Sequence, residues 1–416
     1  MIEALEKLFP GYFTLMVRSI VICCLLLIGQ QLSAQQDNGQ LHDRIQQLAE
    51  KHRHAGFAVA VVNKDSILYE DAFGYADVKA KLPYTVSTLQ PVGSVSKTLI
   101  GFALMKAVEQ GLFTLETAVS DVLPFRVVNP HFPDDAIRIK NLATHTSSIN
   151  DRMETLLRSY FLRPGADSSL ALFRTMRSAG VSLTPIEPSL GTFLKEYFQK
   201  GGKWYHPENF EATRPGAAYH YSNFAAALAA YAVEYASGMS FSAYTRKYLL
   251  EPFGMDASGW FPNEVDSRKM ALLYNSHGQL YPAYGALTYP DGSFITSSHD
   301  LARYLQHILR GAAGDTAALP PALFREMLRA QFHKDNLPQG IPESEPNSGI
   351  FWAIDPEGHP GHVGSDPGVV AYISLDLKSG TARLFIANTE RRNHLEGILN
   401  EELIALREAV WKLLEE

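Results

Sequence analysis

The sequence predicts an α/β protein of the α+β type: one antiparallel sheet built from both termini, flanked by helices, with a mostly helical lobe inserted between its halves. Three observations predict it. Two β-rich runs near the N-terminus flank a short polar break, and two more near the C-terminus flank a Gly-containing turn, so each pair reads as a hairpin. Between them, from about Lys97 to Leu328, the apolar pattern is mostly helical. With 416 residues, 46% hydrophobic and 19% charged, the chain has length for a large core or two lobes.

The N-terminal segment reads as a leader. The apolar run Ser19–Gly29 is much shorter than the roughly twenty residues that span a bilayer. It fits the core of a signal peptide over residues 1–34, with small residues before a cleavage point after Ala34. Glu3 and Glu6 stand where an export signal carries positive charge, and Met16-Val17-Arg18 makes the better start. Export to the periplasm or the exterior is therefore expected, with no membrane span once the leader is removed. Cys23 and Cys24 both fall inside the run, and Ile22 before Cys23 disfavours a lipoprotein site. A mature chain from residue 35 has no thiol, which excludes cysteine nucleophiles and cysteine-based zinc sites.

Residues 35–416 then form one domain, with a sheet lobe at about 41–94 and 340–416 and a helical lobe at about 95–339. Residues 41–54 read as an amphipathic helix. Gly56–Asn63 and Ser66–Tyr69 form the first hairpin across Asn63-Lys64-Asp65. Val369–Asp376 and Thr381–Asn388 form the second, across Leu377-Lys378-Ser379-Gly380. Leu395, Ile398, Leu399, Leu403, Leu406, Val410, Leu413 and Leu414 follow at helical spacing, with one face to bury. A site belongs in the cleft where the lobes meet. The net charge of −7 and the absence of any Lys/Arg run of five or more argue against a nucleic-acid partner.

Three constellations carry chemistry. An apolar helical pattern begins just after Ser94 and runs to Gln110, which places Ser94 at a helix N-terminus where developing negative charge is favoured. Lys97, three residues on, lies on the same helix face. A neutral amine there can take the hydroxyl proton, and burial favours that neutral form. Alone, however, Ser-x-x-Lys is a weak signal, and a serine at a helix start is often only a cap.

Tyr221 and Asn223 follow the Pro215-Gly216 turn and precede an alanine-rich helix over Phe224–Ser237. A tyrosine there can donate or accept a proton, and an amide can orient both a lysine and a substrate carbonyl. The plainer reading is a core aromatic followed by an asparagine cap.

In Gly361-His362-Val363-Gly364-Ser365, the glycines let a substrate lie along a strand edge. The Ser365 N–H pairs with that of Ser94 as a candidate oxyanion hole. Lys378-Ser379-Gly380 is rejected for this role because it occupies the hairpin turn.

In this order the three pieces resemble the serine β-lactamase and penicillin-binding-protein superfamily, closest to its class C β-lactamase, D-alanyl-D-alanine carboxypeptidase, D-aminopeptidase and esterase branch. The likeness covers nearly the whole mature chain. Ile139–Ile149, Glu251–Asp256 and Ser297–Ala302 look like further family landmarks.

The resemblance implies a β-lactamase/transpeptidase-like fold and a serine hydrolase acting through an acyl-enzyme on amide, ester or lactam carbonyls. It implies Ser94 as nucleophile, Lys97 and Tyr221 as the pair that moves protons, and Asn223, His362, Gly364 and Ser365 as substrate and oxyanion contacts. Neither cofactor nor metal is implied, and the partner is a small-molecule or peptide substrate such as a cell-wall-derived peptide.

Two departures stand out. His362 replaces the lysine common in the family, and Val363 lacks the hydroxyl of Thr or Ser, so recognition of a substrate carboxylate is weakened. The interval Asn150–Tyr221 is long, with Trp204, Tyr205 and Phe210 expected at a pocket rim. A Gly-x-Ser-x-Gly elbow and a His-Glu-x-x-His ligand set are both absent. Within the enzyme class the resemblance points first to a D-peptidase/carboxypeptidase-like or β-lactamase-related enzyme. Hydrolysis of D-configured or cell-wall-like peptides and amides stands ahead of short-chain ester hydrolysis, and that ahead of β-lactam hydrolysis. The competing reading from another class is a non-catalytic or slowly acylated penicillin-binding or sensor protein on the same fold.

Overall fold

The computed structural model describes residues 38–183, 189–392 and 399–415. The segment read as a leader, with Met16, Cys23, Cys24 and the expected cleavage point after Ala34, lies outside the described residues, as do Leu395 and Ile398. The strands of the main sheet are β1 (Gly56–Asn63), β2 (Ile67–Asp77), β3 (Leu82–Pro83), β4 (Asn347–Ser348), β5 (Ala353–Ile354), β6 (Pro360–Asp366), β7 (Val369–Asp376) and β8 (Thr381–Ala387). Their order is β3-β2-β1-β8-β7-β6-β5-β4, and every pairing is antiparallel. β1 and β8, from opposite ends of the chain, run side by side from Phe57 opposite Ala387 to Asn63 opposite Thr381. The sheet is thus built from both termini, as the two hairpins predict.

Both faces of the sheet are covered, which is why its central strands read as apolar runs rather than alternating ones. The helices that matter here are α1 (38–49), α2 (Ser96–Glu109), α3 (Asn223–Ser237), α4 (Ser298–Ala312) and α5 (Glu401–Leu413). Side chains alternate along β1. Phe57 and Val59 join a cluster with Ile45 and Ala49 of α1 and Leu403, Leu406 and Val410 of α5. Stacked rings of Phe57, Phe73 and Phe385, at 5.0 and 5.2 Å, fill this layer. Ala58, Ala60 and Val62 join the main core with α2, α3 and α4.

Helix α2 is buried on nearly every side, from Ser96 through Met105 and again at Ala107. A helix that is apolar all round belongs in a core. Small residues let its neighbours close in. A Cβ on Gly101 would stand 2.3 Å from the Ile350 carbonyl, and α3 presents buried Ala225, Ala226, Ala229 and Ala230. Gly101 thus admits the Ile350 backbone, while the alanines let α3 pack closely on α2, with the N-terminal turn of one beside that of the other.

Two expectations need correction. Helices occur throughout 96–328, but 123–138 and 255–288 run mostly as turns, bends and short 3₁₀ pieces, because Pro124, Pro130, Pro133, Pro262 and Pro282 interrupt any helical ladder. A second small sheet also forms there from Tyr160–Leu162, Ser182–Leu183 and Tyr284–Ala286. Of the three aromatics, Phe210 is buried in the core at 2% exposed, while Trp204 and Tyr205 are half-buried against it: Trp204 lies 4.9 Å from Phe193, and Tyr205 lines a cavity with Phe198 and Lys200 that includes none of Ser94, Lys97 and Tyr221.

Candidate active site

Ser94 sits in a 3₁₀ turn, Gly93–Val95, that leads directly into α2. Lys97 falls one turn later, fully buried, and its Nζ lies 3.0 Å from Ser94 Oγ. The same nitrogen donates to Asn223 Oδ1 at 2.8 Å and to the Asp291 backbone carbonyl at 2.6 Å. Asn223 is the first residue of α3, whose cap is Ser222: the Ser222 hydroxyl accepts from the Ala225 N–H. Of the three oxygens around Nζ, two can only accept, whereas the Ser94 hydroxyl can do either. A neutral Lys97 therefore satisfies both acceptors with its two N–H groups and offers its lone pair to Ser94. A charged Lys97 donates to all three. The site accommodates both states without moving a heavy atom. Burial, the largest influence, pushes the Lys97 amine down from its ordinary value, against the pull of Asp291, Asp151 and Asp366.

Tyr221 closes the other side. Its hydroxyl interacts with the Ser94 side chain, and Lys97 Nζ lies 5.1 Å from its ring centroid. The residue is 39% exposed to the cleft, yet its hydroxyl lies among buried groups, and that burial pushes the phenol well up. His145 supports it from behind, 4.4 Å ring to ring, at a backbone φ of +54°. The His145 carbonyl accepts from the His220 N–H at 2.7 Å, and its Nδ1 accepts from the Ser222 N–H at 3.3 Å. The strained loop that carries His145 thus fixes the segment that presents Tyr221.

Strand β6 supplies the remaining predicted residues. A Cβ on Gly364 would stand 1.9 Å from the Val92 carbonyl and 3.1 Å from the Ser94 nitrogen, and one on Gly93 would stand 2.8 Å from the Ser365 nitrogen. Only glycine at both positions lets the strand abut the 3₁₀ turn, with the two backbone nitrogens on either side of the contact. His362 is buried, with Nδ1 2.9 Å from the Val363 carbonyl. Burial, reinforced by Lys97, holds it down at about 4, so it is neutral at pH 7. The small cavity beside it includes Glu345 but neither lysine nor arginine. Lys378-Ser379-Gly380 occupies the β7–β8 turn, where Asp376 accepts from the Lys378 and Ser379 N–H groups.

The structure adds residues that sequence reasoning missed. Asp151 accepts from the Ser222 hydroxyl at 2.6 Å and from the Asn223 N–H at 2.5 Å, so a buried carboxylate holds the start of α3. Asp366, next to Ser365, accepts from the Tyr160 hydroxyl at 2.7 Å and is pushed up to about 6 by burial. Asp291 is pushed up to about 7, again by burial, against the pull of Lys97. Pro290-Asp291-Gly292 has the look of an ordinary turn in sequence, and Asp151 follows a loop with no periodicity. Neither gave a signal. Among the described residues no cluster of His, Cys, Asp and Glu forms a metal site.

A buried amine bonded to a hydroxyl at a helix start, a tyrosine over both and a glycine-lined strand beside them make a known arrangement. A family model described as Beta-lactamase matches residues 41–406. The chain belongs to the beta-lactamase family. Members of this superfamily are generally serine hydrolases.

Penicillin-binding protein 4* of Bacillus subtilis is 25% identical over 239 residues, covering 56% of this chain and 45% of that protein. Protein flp of Staphylococcus aureus is 22% identical over 357 residues, covering 84% and 62%. The chain thus spans between about half and three-fifths of the length of these relatives.

Among solved structures, the octameric penicillin-binding protein homologue from Pyrococcus abyssi matches with a TM-score of 0.68 at 21% identity, over 90% of this chain and 77% of that one. EstCE1, described as a hydrolase with promiscuous acyltransferase activity, matches with 0.65 at 19% identity, over 91% and 100%. At these identities the structural likeness establishes the fold, an antiparallel sheet with helices of the β-lactamase/transpeptidase type.

Proposed function

We propose that this beta-lactamase family member is a serine hydrolase that works through an acyl-enzyme and prefers uncharged ester or amide carbonyls to carboxylate-terminated donors. The observation that carries the reading is the buried Lys97 Nζ, 3.0 Å from Ser94 Oγ and 2.8 Å from Asn223 Oδ1. Ser94 Oγ attacks the carbonyl carbon as its proton passes to the Lys97/Tyr221 pair. The carbonyl oxygen takes the negative charge between the Ser94 and Ser365 N–H groups. The tetrahedral intermediate collapses, the leaving group departs with the proton, and water releases the acyl group by the same steps in reverse.

The substrate preference rests on His362. A neutral imidazole gives a substrate carboxylate no counter-charge, and the cavity around it adds none. On this reading esters and uncharged amides rank ahead of D-alanyl-D-alanine-type peptides and β-lactams, both of which carry a carboxylate.

The test is steady-state hydrolysis of p-nitrophenyl acetate, an uncharged D-alanine p-nitroanilide derivative and a chromogenic cephalosporin by the wild type and Ser94→Ala. Ser94-dependent turnover of the two uncharged substrates, faster than of the cephalosporin, is expected. Turnover that survives in Ser94→Ala overturns the mechanism, and a dominant cephalosporinase activity overturns the preference.

A further inference from the structure

We propose that a pocket beside the nucleophile turn is a second binding site, one that takes a small monocarboxylate with an apolar body and grips its anionic end with Arg163. The inference goes beyond the serine-hydrolase reading and stands whether or not Ser94 is a nucleophile. The pocket has a volume of about 300 Å³, at the lower end of the range for small-molecule sites. Pro91, Pro262, Met270, Leu272, Leu273 and Ile295 give it an apolar wall, and Leu272 is 37% exposed. None of Ser94, Lys97, Tyr221 and His362 lines it. It borders the catalytic machinery through Gly292, where a Cβ would stand 3.2 Å from Asp366 Oδ2 and 3.9 Å from the Gly93 carbonyl carbon.

Arg163 follows the strand Tyr160–Leu162, and its backbone N–H donates to the Ala283 carbonyl at 2.9 Å. Its Nε donates to the Tyr284 carbonyl at 2.8 Å, and the guanidinium carbon stands 5.7 Å from the centroid of the Phe161 ring. Gly285 makes room for the group, since a Cβ there would stand 3.0 Å from Nη2. The guanidinium is thus held from one side, while Nη1 and Nη2 have no hydrogen-bond partner and no carboxylate among the described residues. Those two nitrogens form the planar fork that matches a carboxylate bidentately. Burial pushes the guanidinium down from its ordinary value. A half-buried cation without a counter-charge is costly, and an anion entering the pocket offsets that cost.

The lining also settles the class of anion. Its one other charged side chain, Asp366, gives Oδ1 to the Tyr160 hydroxyl at 2.7 Å and forms no ion pair with Arg163. A ligand with a second anionic group would meet Asp366. A purely apolar ligand leaves the guanidinium unpaired, and phosphate or sulfate leaves the apolar wall uncovered. A single carboxylate on an aliphatic chain satisfies both, with its head at Arg163 and its chain along Met270, Leu272 and Leu273.

The experiment compares the dissociation constants of hexanoate and hexanamide, read by saturation-transfer NMR, for the wild type, Arg163→Gln, Leu272→Glu and Ser94→Ala, with folding followed by circular dichroism. A charge-assisted hydrogen bond sets the scale, roughly ten- to a hundredfold in affinity. The wild type binds hexanoate more tightly than hexanamide by that factor, and Arg163→Gln loses the difference. Leu272→Glu, at an exposed position, puts a like charge in the wall and weakens hexanoate more than hexanamide; it decides the matter if Arg163→Gln does not fold. Ser94→Ala keeps the wild-type values. Hexanoate affinity unchanged in the folded Arg163→Gln or Leu272→Glu, equal affinities for acid and amide in the wild type, or no saturable binding overturns the inference. Loss of hexanoate binding in Ser94→Ala places the acid in the Ser94 cleft and overturns it as well.

Discussion

The contact between β6 and the nucleophile turn makes Gly364→Ala the most informative single methyl group that can be added to this protein. A Cβ there stands 1.9 Å from the Val92 carbonyl oxygen, where real Cβ atoms keep at least 3.0 Å. The strand and the turn must therefore separate by 3.0 − 1.9 = 1.1 Å or more. The Ser94 and Ser365 nitrogens lie on the two sides of that gap. Oxyanion donors act only within about 2.7–3.1 Å of the developing charge, and a misplacement of about 1 Å costs on the order of a hundredfold in rate. That corresponds to about 2.7 kcal/mol of barrier. Overpacking also costs about 1–3 kcal/mol of stability, so the variant is assayed well below its melting temperature. The measurement is kcat and KM on p-nitrophenyl acetate for the wild type, Gly364→Ala and Gly39→Ala, the last having open space around its added methyl. A roughly hundredfold fall in kcat confined to Gly364→Ala is expected. A folded Gly364→Ala with wild-type kcat refutes the placement of the oxyanion hole.

Three further outcomes follow from the same geometry. Tyr221→Phe keeps the ring against His145 but loses the hydroxyl at Ser94, so kcat/KM falls by about 10²–10⁴-fold while the thermal melt stays near that of the wild type. His362→Lys restores a cation beside the cleft; a charge-assisted hydrogen bond of about 1.5–3 kcal/mol raises cephalosporin turnover relative to ester turnover roughly ten- to a hundredfold, read from the ratio of the two kcat/KM values. Asp366, raised from 3.8 to about 6, contributes stability that is fully present below its unfolded value and lost as pH rises through about 6. Asp366→Asn keeps the acceptor for Tyr160 and is more stable than the wild type at pH 8 by up to about 3 kcal/mol, with the difference vanishing near pH 3.5 in denaturant melts.

Much of this molecule is legible in its sequence because the signals are local. The β7–β8 hairpin is set by Asp376 accepting from the next N–H groups and by Gly380 at a φ of +74°. Ser94 and Lys97 share one helix face by spacing alone, and Tyr221 and Asn223 are marked by the Pro-Gly turn before them and the alanines after. What could not be read depends on contacts between distant segments. Asp151 meets Asn223 across 72 residues, and Lys97 meets the Asp291 carbonyl across 194. No periodicity encodes such a meeting. Of the aromatic residues expected at a rim, Phe210 went to the core and Trp204 to its edge because Phe198 and Phe193, on a helix over Leu190–Phe198, offered them apolar partners. His362, by contrast, could be identified by position but not by charge state, since burial beside Lys97 decides it.

The central claim, that Ser94 forms an acyl-enzyme with Lys97 as its buried proton partner, is tested most directly by intact mass spectrometry. The protein and its Ser94→Ala and Lys97→Met variants are quenched in acid within seconds of mixing with p-nitrophenyl acetate, and the adduct is then mapped by peptide digestion. A single acetyl group on Ser94 in the wild type, none in Ser94→Ala and far slower labelling in Lys97→Met is the predicted result. An acetyl group on any other residue, or labelling of Ser94 at the wild-type rate without Lys97, contradicts the account.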